Sequence, residues 1–189
     1  MKLLIVYGTT EGQTRKIAEF LKTESEKLGI HAAICDTTCT QIGPDGYDAV
    51  IICSSMHMHK YQTSISYYIK THFSTLNDMH SAFCSVSLSA VSKGYDEESY
   101  KELTDLTSKF LLDTGWKPEL VEYAAGALRY TEYDFFKKFI MRQIAQRSKG
   151  DTDTSHDHEY TNWDQLRSFL NDFLRLAKTP LPTLTEEIL

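Results

Sequence analysis

Residues 7–15 of this 189-residue sequence are Tyr7-Gly8-Thr9-Thr10-Glu11-Gly12-Gln13-Thr14-Arg15, and they carry the strongest structural signal in the chain. A short apolar run over residues 2–7 precedes it, as expected for a strand that is buried on both faces of a parallel sheet. Apolar residues at helical spacing follow over residues 12–28. The stretch is therefore predicted to form a strand-to-helix turn at the edge of a sheet.

The predicted turn is rich in groups that bind phosphate. Thr9, Thr10 and Thr14 offer hydroxyl donors, Gly12 allows close approach of the backbone, and the helix N-terminus adds free N–H groups. The turn lacks the Gly-Lys-Ser/Thr of an ATP-binding loop and the three glycines of a dinucleotide-binding loop. It therefore favours a monophosphate over a pyrophosphate. The alternative is a plain turn whose threonines only cap the helix.

The remaining chain alternates between strand and helix patterns. Further strands are predicted over residues 31–36, 49–53, 82–88 and 120–125, and further helices over residues 64–73, 97–113 and 162–177. Thr161 and Asp164 have the spacing of a capping box at the start of the last helix. This alternation predicts an α/β fold with a doubly wound, five-stranded parallel sheet in the order 2-1-3-4-5 and helices on both faces. Ligands of such sheets bind beyond the carboxyl ends of the strands, here between strands one and three.

Two more loops follow strands near that position. The loop after strand three offers methionine and tyrosine side chains as soft or flat contact surface, and His57 or Lys60 as a source of positive charge. The loop after strand four supplies a second wall, largely through backbone groups. The predicted contacts are Ser54, Ser55, Met56, His57, Met58 and Tyr61 in the first loop, and Ser85, Val86, Ser87, Leu88 and Ser89 in the second. His57 and His59 lack a third ligand at a telling spacing, so no metal site is predicted.

Longer motifs resemble one family. The turn resembles the flavodoxin pattern Ser/Thr-x-Thr-Gly-x-Thr through Thr9, Gly12 and Thr14, with Glu11 where flavodoxins usually have threonine. More specific motifs are Ala125-Gly126-Ala127-Leu128-Arg129-Tyr130, Gly150-Asp151-Thr152-Asp153-Thr154 and Tyr160-Thr161-Asn162-Trp163. With them, the chain from about residue 2 to residue 173 resembles the flavodoxin-like, quinone-linked protoporphyrinogen oxidases of bacterial haem biosynthesis.

This resemblance implies a flavodoxin-like fold, one bound FMN and a redox activity. FMN would be held by residues 9–14, namely Thr9, Thr10, Glu11, Gly12, Gln13 and Thr14, and by the two loops described above. The implied reaction removes six electrons from protoporphyrinogen IX in three two-electron steps and passes them to a quinone. No side chain is predicted as a general acid or base, because the cofactor carries the chemistry. Arg129 is a candidate contact for a porphyrinogen propionate, with a structural ion pair as the alternative.

The predicted organisation is an FMN-binding domain over residues 1–177, an inserted helical segment over residues 126–160 and a flexible tail over residues 178–189. Residues 133–149 form a basic amphipathic pattern that suits either a membrane surface or packing on the same domain. No run approaches the ~18 apolar residues of a membrane span. The net charge of −6 does not favour nucleic acid. We expect a cytoplasmic protein, with peripheral contact at the inner face of the cell membrane through residues 133–149.

Two other functions stay open at this level. An electron carrier of the flavodoxin type would use Asp96, Glu97 and Glu98, which lie where the oxidase family has a basic stretch, to attract a basic redox partner. A flavin-binding accessory or sensor protein without turnover is the third hypothesis. The long insertion favours the oxidase, because a carrier has little use for residues 126–160.

Overall fold

The computed structural model describes residues 1–39, 42–93, 96–128 and 158–181. The predictions for Arg129, for the helix over residues 133–149 and for most of the tail lie outside these residues. The elements in chain order are β1 (Lys2–Gly8), α1 (Gln13–Lys27), β2 (His31–Asp36), β3 (Ala49–His57), β4 (Lys60–Tyr61), α2 (Thr63–Thr71), α3 (Phe73–Asn77), β5 (His80–Ser87), a 3₁₀ turn (Leu88–Ser92), α4 (Glu97–Thr114), β6 (Leu120–Ala125), β7 (Ala127–Leu128), β8 (His158–Glu159) and α5 (Trp163–Leu176).

The main sheet has the predicted doubly wound topology. Its parallel strands lie in the order β2-β1-β3-β5-β6, which confirms the order 2-1-3-4-5 once the short β4 is set aside. In the central strands, Tyr7 lies in register with Cys53, and Cys53 with Cys84. Buried residues of α1 and α5 cover one face of the sheet, and residues of α2, α3 and α4 cover the other. The near-continuous apolar runs of β1, β3 and β5 follow from this burial on both faces.

The segment after residue 53 differs from its prediction as a loop. Strand β3 continues to His57, the chain reverses at Met58 and His59, and β4 pairs antiparallel with β3. Met58 and His59 both have positive φ angles, 48° and 63°, as a two-residue hairpin turn of this hand requires. The ring of Tyr61 in β4 packs against Phe83 and Phe110, and this packing holds the hairpin to the sheet.

Two helix boundaries also differ from the prediction. The helix predicted over residues 64–73 is divided at His72 into α2 and α3. The predicted capping box is wrong, because the N-cap of α5 is Asn162, whose side chain accepts from the N–H of Gln165 at 3.1 Å. The hydroxyl of Thr161 bonds elsewhere, with Gln13 and with the carbonyl oxygen of Ala125.

A two-stranded stem joins the ends of the segment over residues 129–157. Ala127 pairs with Glu159 and Leu128 with His158, in antiparallel orientation. The N–H of Tyr160 donates to the oxygen of Gly126, and the Lys16 ammonium lies 3.4 Å from the Glu159 carboxylate. The stem thus continues from β6 and contacts α1. Within the described residues, the helices are all too short or too polar to cross a lipid bilayer.

Candidate functional site

The predicted site lies where the carboxyl ends of the central strands meet. Gly8 at the end of β1 is in register with Ser54 of β3, and Ser54 is in register with Ser85 of β5. The chain leaves β1 and β3 toward opposite faces of the sheet, since α1 packs on one face and α2 on the other. A crevice between the two connections is the usual ligand site of such sheets.

The turn after β1 has the geometry of an anion site. Gly12 is the N-cap of α1 and has a φ angle of 92°, in the left-handed region that favours glycine. Its N–H donates to the hydroxyl of Thr9 at 3.0 Å, which closes the turn. Among the residues that the structure describes, no side chain caps α1, and the first turn of α1 has no acidic residue. The first N–H groups of the helix therefore remain available to an anion.

Two buried hydroxyl groups stand out at this edge. Thr14 is only 1% exposed, and its Oγ1 has no hydrogen-bond partner among the described residues. The same holds within this part of the chain for the Oγ of Ser87, the last residue of β5. An unpaired buried hydroxyl costs free energy, so each of these groups is explained best by a ligand that bonds to it. Both belong to the predicted set of cofactor contacts.

Gln62 connects the two sides of the crevice, and the sequence analysis missed it. Its side-chain amide donates to the hydroxyl of Thr10 at 2.6 Å and to the hydroxyl of Ser55 at 2.9 Å. The backbone of Gly8 lies close to the side chains of Ile65 and Gln62. A Cβ at Gly8 would lie 2.7 Å from Ile65 and 3.2 Å from Gln62. The only signal in the sequence was a polar residue just before α2, which is not specific.

Gln13 points away from the turn that contains it. It is 8% exposed, and its amide donates to the hydroxyl of Thr161 at 2.8 Å. That hydroxyl donates in turn to the oxygen of Ala125 at 2.8 Å. The Gln13 side chain thus joins the start of α1 to Thr161 and the end of β6, and the predicted contact of Gln13 with a cofactor stays a prediction.

The hairpin after β3 presents part of its predicted set at the surface. Met56 and His57 are half-buried, whereas Met58 at the turn is 80% exposed. The ring of His59 lies 3.5 Å from the carboxylate of Glu102 on α4. Across the described residues, no group of three or more His, Cys, Asp or Glu side chains could hold a metal ion.

The hydroxyl groups of Tyr61 and Ser85 are hydrogen-bonded to each other inside the fold. The Tyr61 hydroxyl lies 2.7 Å from the hydroxyls of both Ser85 and Thr107, and its ring centroid lies 4.5 Å from that of Phe110. Burial raises the pKa of Tyr61 to about 12, against the smaller opposing effect of its two hydrogen bonds. Both residues were predicted to contact the cofactor. Tyr61 lies between β5 and α4, where it fixes the hairpin.

The other predicted contacts lie along the same edge with different exposure. Thr9 and Glu11 are half-buried and Thr10 is exposed. Ser54 and Val86 are buried, Ser55 is half-buried, and Leu88 and Ser89 are half-buried in the 3₁₀ turn. The structure therefore brings the three predicted loops together at one edge of the sheet. Their contact with a cofactor stays a prediction.

Known proteins resemble this chain in sequence and in architecture. The Flavodoxin domain family matches residues 4–155. Protoporphyrinogen IX dehydrogenase (quinone) of Escherichia coli (strain K12) is 34% identical over 181 residues, which cover 95% of this chain and 98% of that protein. The protein of the same name from Leishmania major is 33% identical over 188 residues, 96% of this chain and 79% of that protein. Oxidised flavodoxin 1 from Bacillus cereus has a similar fold, with a TM-score of 0.55 at 10% identity over 93% of this chain and 98% of the flavodoxin.

Proposed function

This chain belongs to the flavodoxin-domain family of protoporphyrinogen IX dehydrogenases, and we propose that it oxidises protoporphyrinogen IX to protoporphyrin IX with a bound FMN and a quinone as electron acceptor. The observation that carries the proposal is the similarity over 95% of this chain and 98% of the Escherichia coli enzyme. A shared flavodoxin domain alone would support only a flavin protein. A match that extends through the stem into α5 supports the same activity.

The residues after β1 fit the phosphate of FMN. The left-handed Gly12, the uncapped N-terminus of α1 and the unpaired Thr14 hydroxyl together offer backbone and side-chain donors to one anion. The partial positive charge of the helix N-terminus favours a phosphate dianion. Thr9 accepts from the N–H of Gly12 and so shapes the turn, and its hydroxyl proton, like those of Thr10 and Thr14, remains available to the phosphate.

The residues after β3 and β5 fit a flat ring. The hairpin residues Met56, His57 and Met58 form one side of the crevice, and the 3₁₀ turn that begins at Leu88 forms the other. The Ser87 hydroxyl lies unpaired at the base of that turn and suits a polar ring atom. Met58 supplies an exposed, polarisable side chain for contact with a ring.

These contacts separate the role of the flavin from that of the protein residues. A bound flavin supplies reversible acceptance of two electrons. The chain's own residues bind and orient it: the turn after β1 holds the phosphate, and the hairpin and the 3₁₀ turn hold the ring. Over the whole reaction, six electrons and six protons leave the porphyrinogen, and three quinones become quinols. Arg129 stays a candidate for the porphyrinogen propionate, next to the stem that ends at Leu128.

A quinone dissolves in lipid, so the proposed reaction takes place at a membrane surface. The basic amphipathic pattern of residues 133–149 supports peripheral contact at the inner face of the cell membrane. Flotation with vesicles of anionic lipid, compared with vesicles of neutral lipid, tests this part of the proposal. Equal and negligible flotation with both would contradict it.

The activity is tested with anaerobic protein, protoporphyrinogen IX and menadione, by following the fluorescence of the porphyrin product. The controls are the flavin-free protein and the same protein after reconstitution with FMN. We expect saturable porphyrin formation that is absent without FMN and restored by it. Bound FMN that is reduced and reoxidised without porphyrin above the control rate would overturn the oxidase proposal.

A second candidate function is supported by the charge of α4. Its first turn carries Glu97 and Glu98, both exposed, and Glu102 lies beside the hairpin at His59. An acidic surface next to the cofactor edge suits an electron carrier that docks on a basic partner. The carrier would reduce a basic redox protein at a rate that falls with salt, while forming no porphyrin in the assay above.

A further inference from the structure

Gln62 occupies the point where the phosphate side and the ring side of the crevice meet. Its amide nitrogen lies 2.6 Å from Oγ1 of Thr10 in the turn after β1 and 2.9 Å from Oγ of Ser55 near the end of β3. The Cβ and Cγ atoms of Gln62 would lie 3.2 Å and 3.3 Å from a Cβ at Gly8. The aliphatic part of the Gln62 side chain therefore packs against the backbone of β1. The side chain is therefore held from three directions.

The direction of these hydrogen bonds has a chemical consequence. A primary amide nitrogen carries two N–H donors and no acceptor, and here the two donors are used by two hydroxyl oxygens. A threonine or serine hydroxyl has one proton to donate. Since Thr10 accepts from Gln62, its own proton is free for another acceptor. The side chain of Thr10 is exposed at the turn where the phosphate is proposed to bind.

We propose that Gln62 is a positioning residue for the cofactor phosphate, which holds the Thr10 hydroxyl as a donor and ties the phosphate turn to the end of β3 through Ser55. This inference rests on the proposed FMN site. It assigns to Gln62 a specificity for the phosphorylated flavin, because riboflavin lacks the charged phosphate oxygens that would accept from Thr10.

The neutral, donating amide of Gln62 is central to the proposal. In Gln62→Glu the carboxylate can only accept, so the Thr10 and Ser55 hydroxyls would turn their protons toward it. The variant would also place a negative charge beside the phosphate. Gln62→Leu keeps a side chain of similar volume against Gly8 and removes both hydrogen bonds. Gln62→Leu therefore tests the loss of the two donated hydrogen bonds, and Gln62→Glu tests the reversal of their direction.

The test is titration of flavin-free protein with FMN and, separately, with riboflavin, followed by the quenching of flavin fluorescence. The quantity of interest is the ratio of the two dissociation constants. We expect Gln62→Leu to reduce the preference for FMN about fivefold, as for loss of one hydrogen bond of ordinary strength that orients the Thr10 hydroxyl. Gln62→Glu should reduce it by roughly fiftyfold or more, because repulsion is added. Adding Thr10→Val to the Gln62→Leu variant should change the ratio of the two dissociation constants little further.

Ser64→Ala provides the matched control, since Ser64 lies in the first turn of α2 and accepts from Thr37, and neither hydroxyl is a proposed phosphate contact. It should leave the ratio unchanged, and the melting temperature of each flavin-free variant reports on folding. Equal weakening of FMN and riboflavin by both Gln62 variants would show a merely structural role and overturn the inference, while leaving the proposed function intact. Wild-type protein that binds neither flavin would overturn both.

Discussion

The side-chain amide of Gln13 donates to the hydroxyl of Thr161 at 2.8 Å, across 148 positions of sequence. The Thr161 hydroxyl in turn donates to the backbone oxygen of Ala125 at 2.8 Å. Two partly buried hydrogen bonds thus join Gln13, at the start of α1, to the end of β6 through Thr161, which precedes α5. These hydrogen bonds therefore join the proposed phosphate turn to the residues that flank the stem of the long insertion.

We expect Thr161→Val to lower the free energy of unfolding by about 1–3 kcal/mol, because the buried amide of Gln13 loses its partner. Urea unfolding of the flavin-free protein measures the change. Thr179→Val is the matched control, since its hydroxyl bonds to the oxygen of Leu176 in an exposed turn, and it should change the value by less than about 0.5 kcal/mol. Equal effects of the two substitutions would contradict the importance of the Gln13 bond.

Thr14→Val should act in opposite directions on stability and on binding. Removal of an unpaired buried hydroxyl should leave the stability of the flavin-free protein unchanged or raise it. Affinity for FMN should fall roughly tenfold to a hundredfold, as for loss of a hydrogen bond to a charged group. Thr107→Val, which removes a buried hydroxyl that is fully engaged with Leu103 and Tyr61, should instead destabilise the protein and spare FMN binding. A loss of stability in Thr14→Val would argue that its hydroxyl has a partner within the protein.

Glu122→Gln should stabilise the protein at neutral pH. Burial raises the pKa of Glu122, against the smaller opposing effect of the hydrogen bond from Gln165. The neutral carboxyl is favoured in the folded state, so its contribution to stability is complete below the ordinary carboxyl pKa and is lost as the pH rises through the raised value. A glutamine stays neutral and still accepts from Gln165.

The melting temperatures of wild type and Glu122→Gln, recorded from about pH 4 to about pH 8, measure this effect. The two curves should converge at acidic pH and separate toward neutral pH, with the variant higher. A constant difference at every pH would mean that the titration of Glu122 plays no part.

His80→Ala should weaken the fold without affecting the site. The ring of His80 lies 2.7 Å from the Glu119 carboxylate and 2.9 Å from the oxygen of Thr179, at the amino end of β5, opposite the proposed cofactor edge. We expect a loss of about 1–3 kcal/mol in the free energy of unfolding and an unchanged FMN dissociation constant. His31→Ala, at the exposed start of β2, is the control and should change neither. A weaker FMN affinity in His80→Ala would show that the two edges of the sheet are coupled.

Most of the sheet could be predicted from residue patterns because the central strands β1, β3 and β5 are buried on both faces and the strands alternate with helices. Strands β2 and β6 have the predicted bounds, His31–Asp36 and Leu120–Ala125, and the order of strands follows from the alternation of elements. The edge that carries the site follows from the same alternation. The turn after β1 could be predicted because its glycine and threonines are adjacent in sequence and act locally.

The hairpin after β3 could not be predicted in the same way. Met58 and His59 adopt positive φ angles although neither is a glycine or asparagine, so the usual signal of a two-residue turn is missing. The hairpin is held by Tyr61, whose hydroxyl meets Ser85 and Thr107, 24 and 46 positions away. Local sequence carries no information about such distant partners.

By itself, the sequence determined the alternating strands and helices, the parallel sheet and the polar turn at its edge, since these depend on which residues are apolar and how they are spaced. Which distant polar groups bond to one another follows from the folded arrangement. Thr161 has the spacing of a helix cap, yet its hydroxyl bonds with Gln13. Gln62 is the N-cap of α2 by position, yet its side chain bonds to Thr10 and Ser55 and makes no capping bond. The physical reason is that a hydrogen bond acts over about 3 Å, so its partners are chosen among groups that folding brings together, however far apart they lie in the chain.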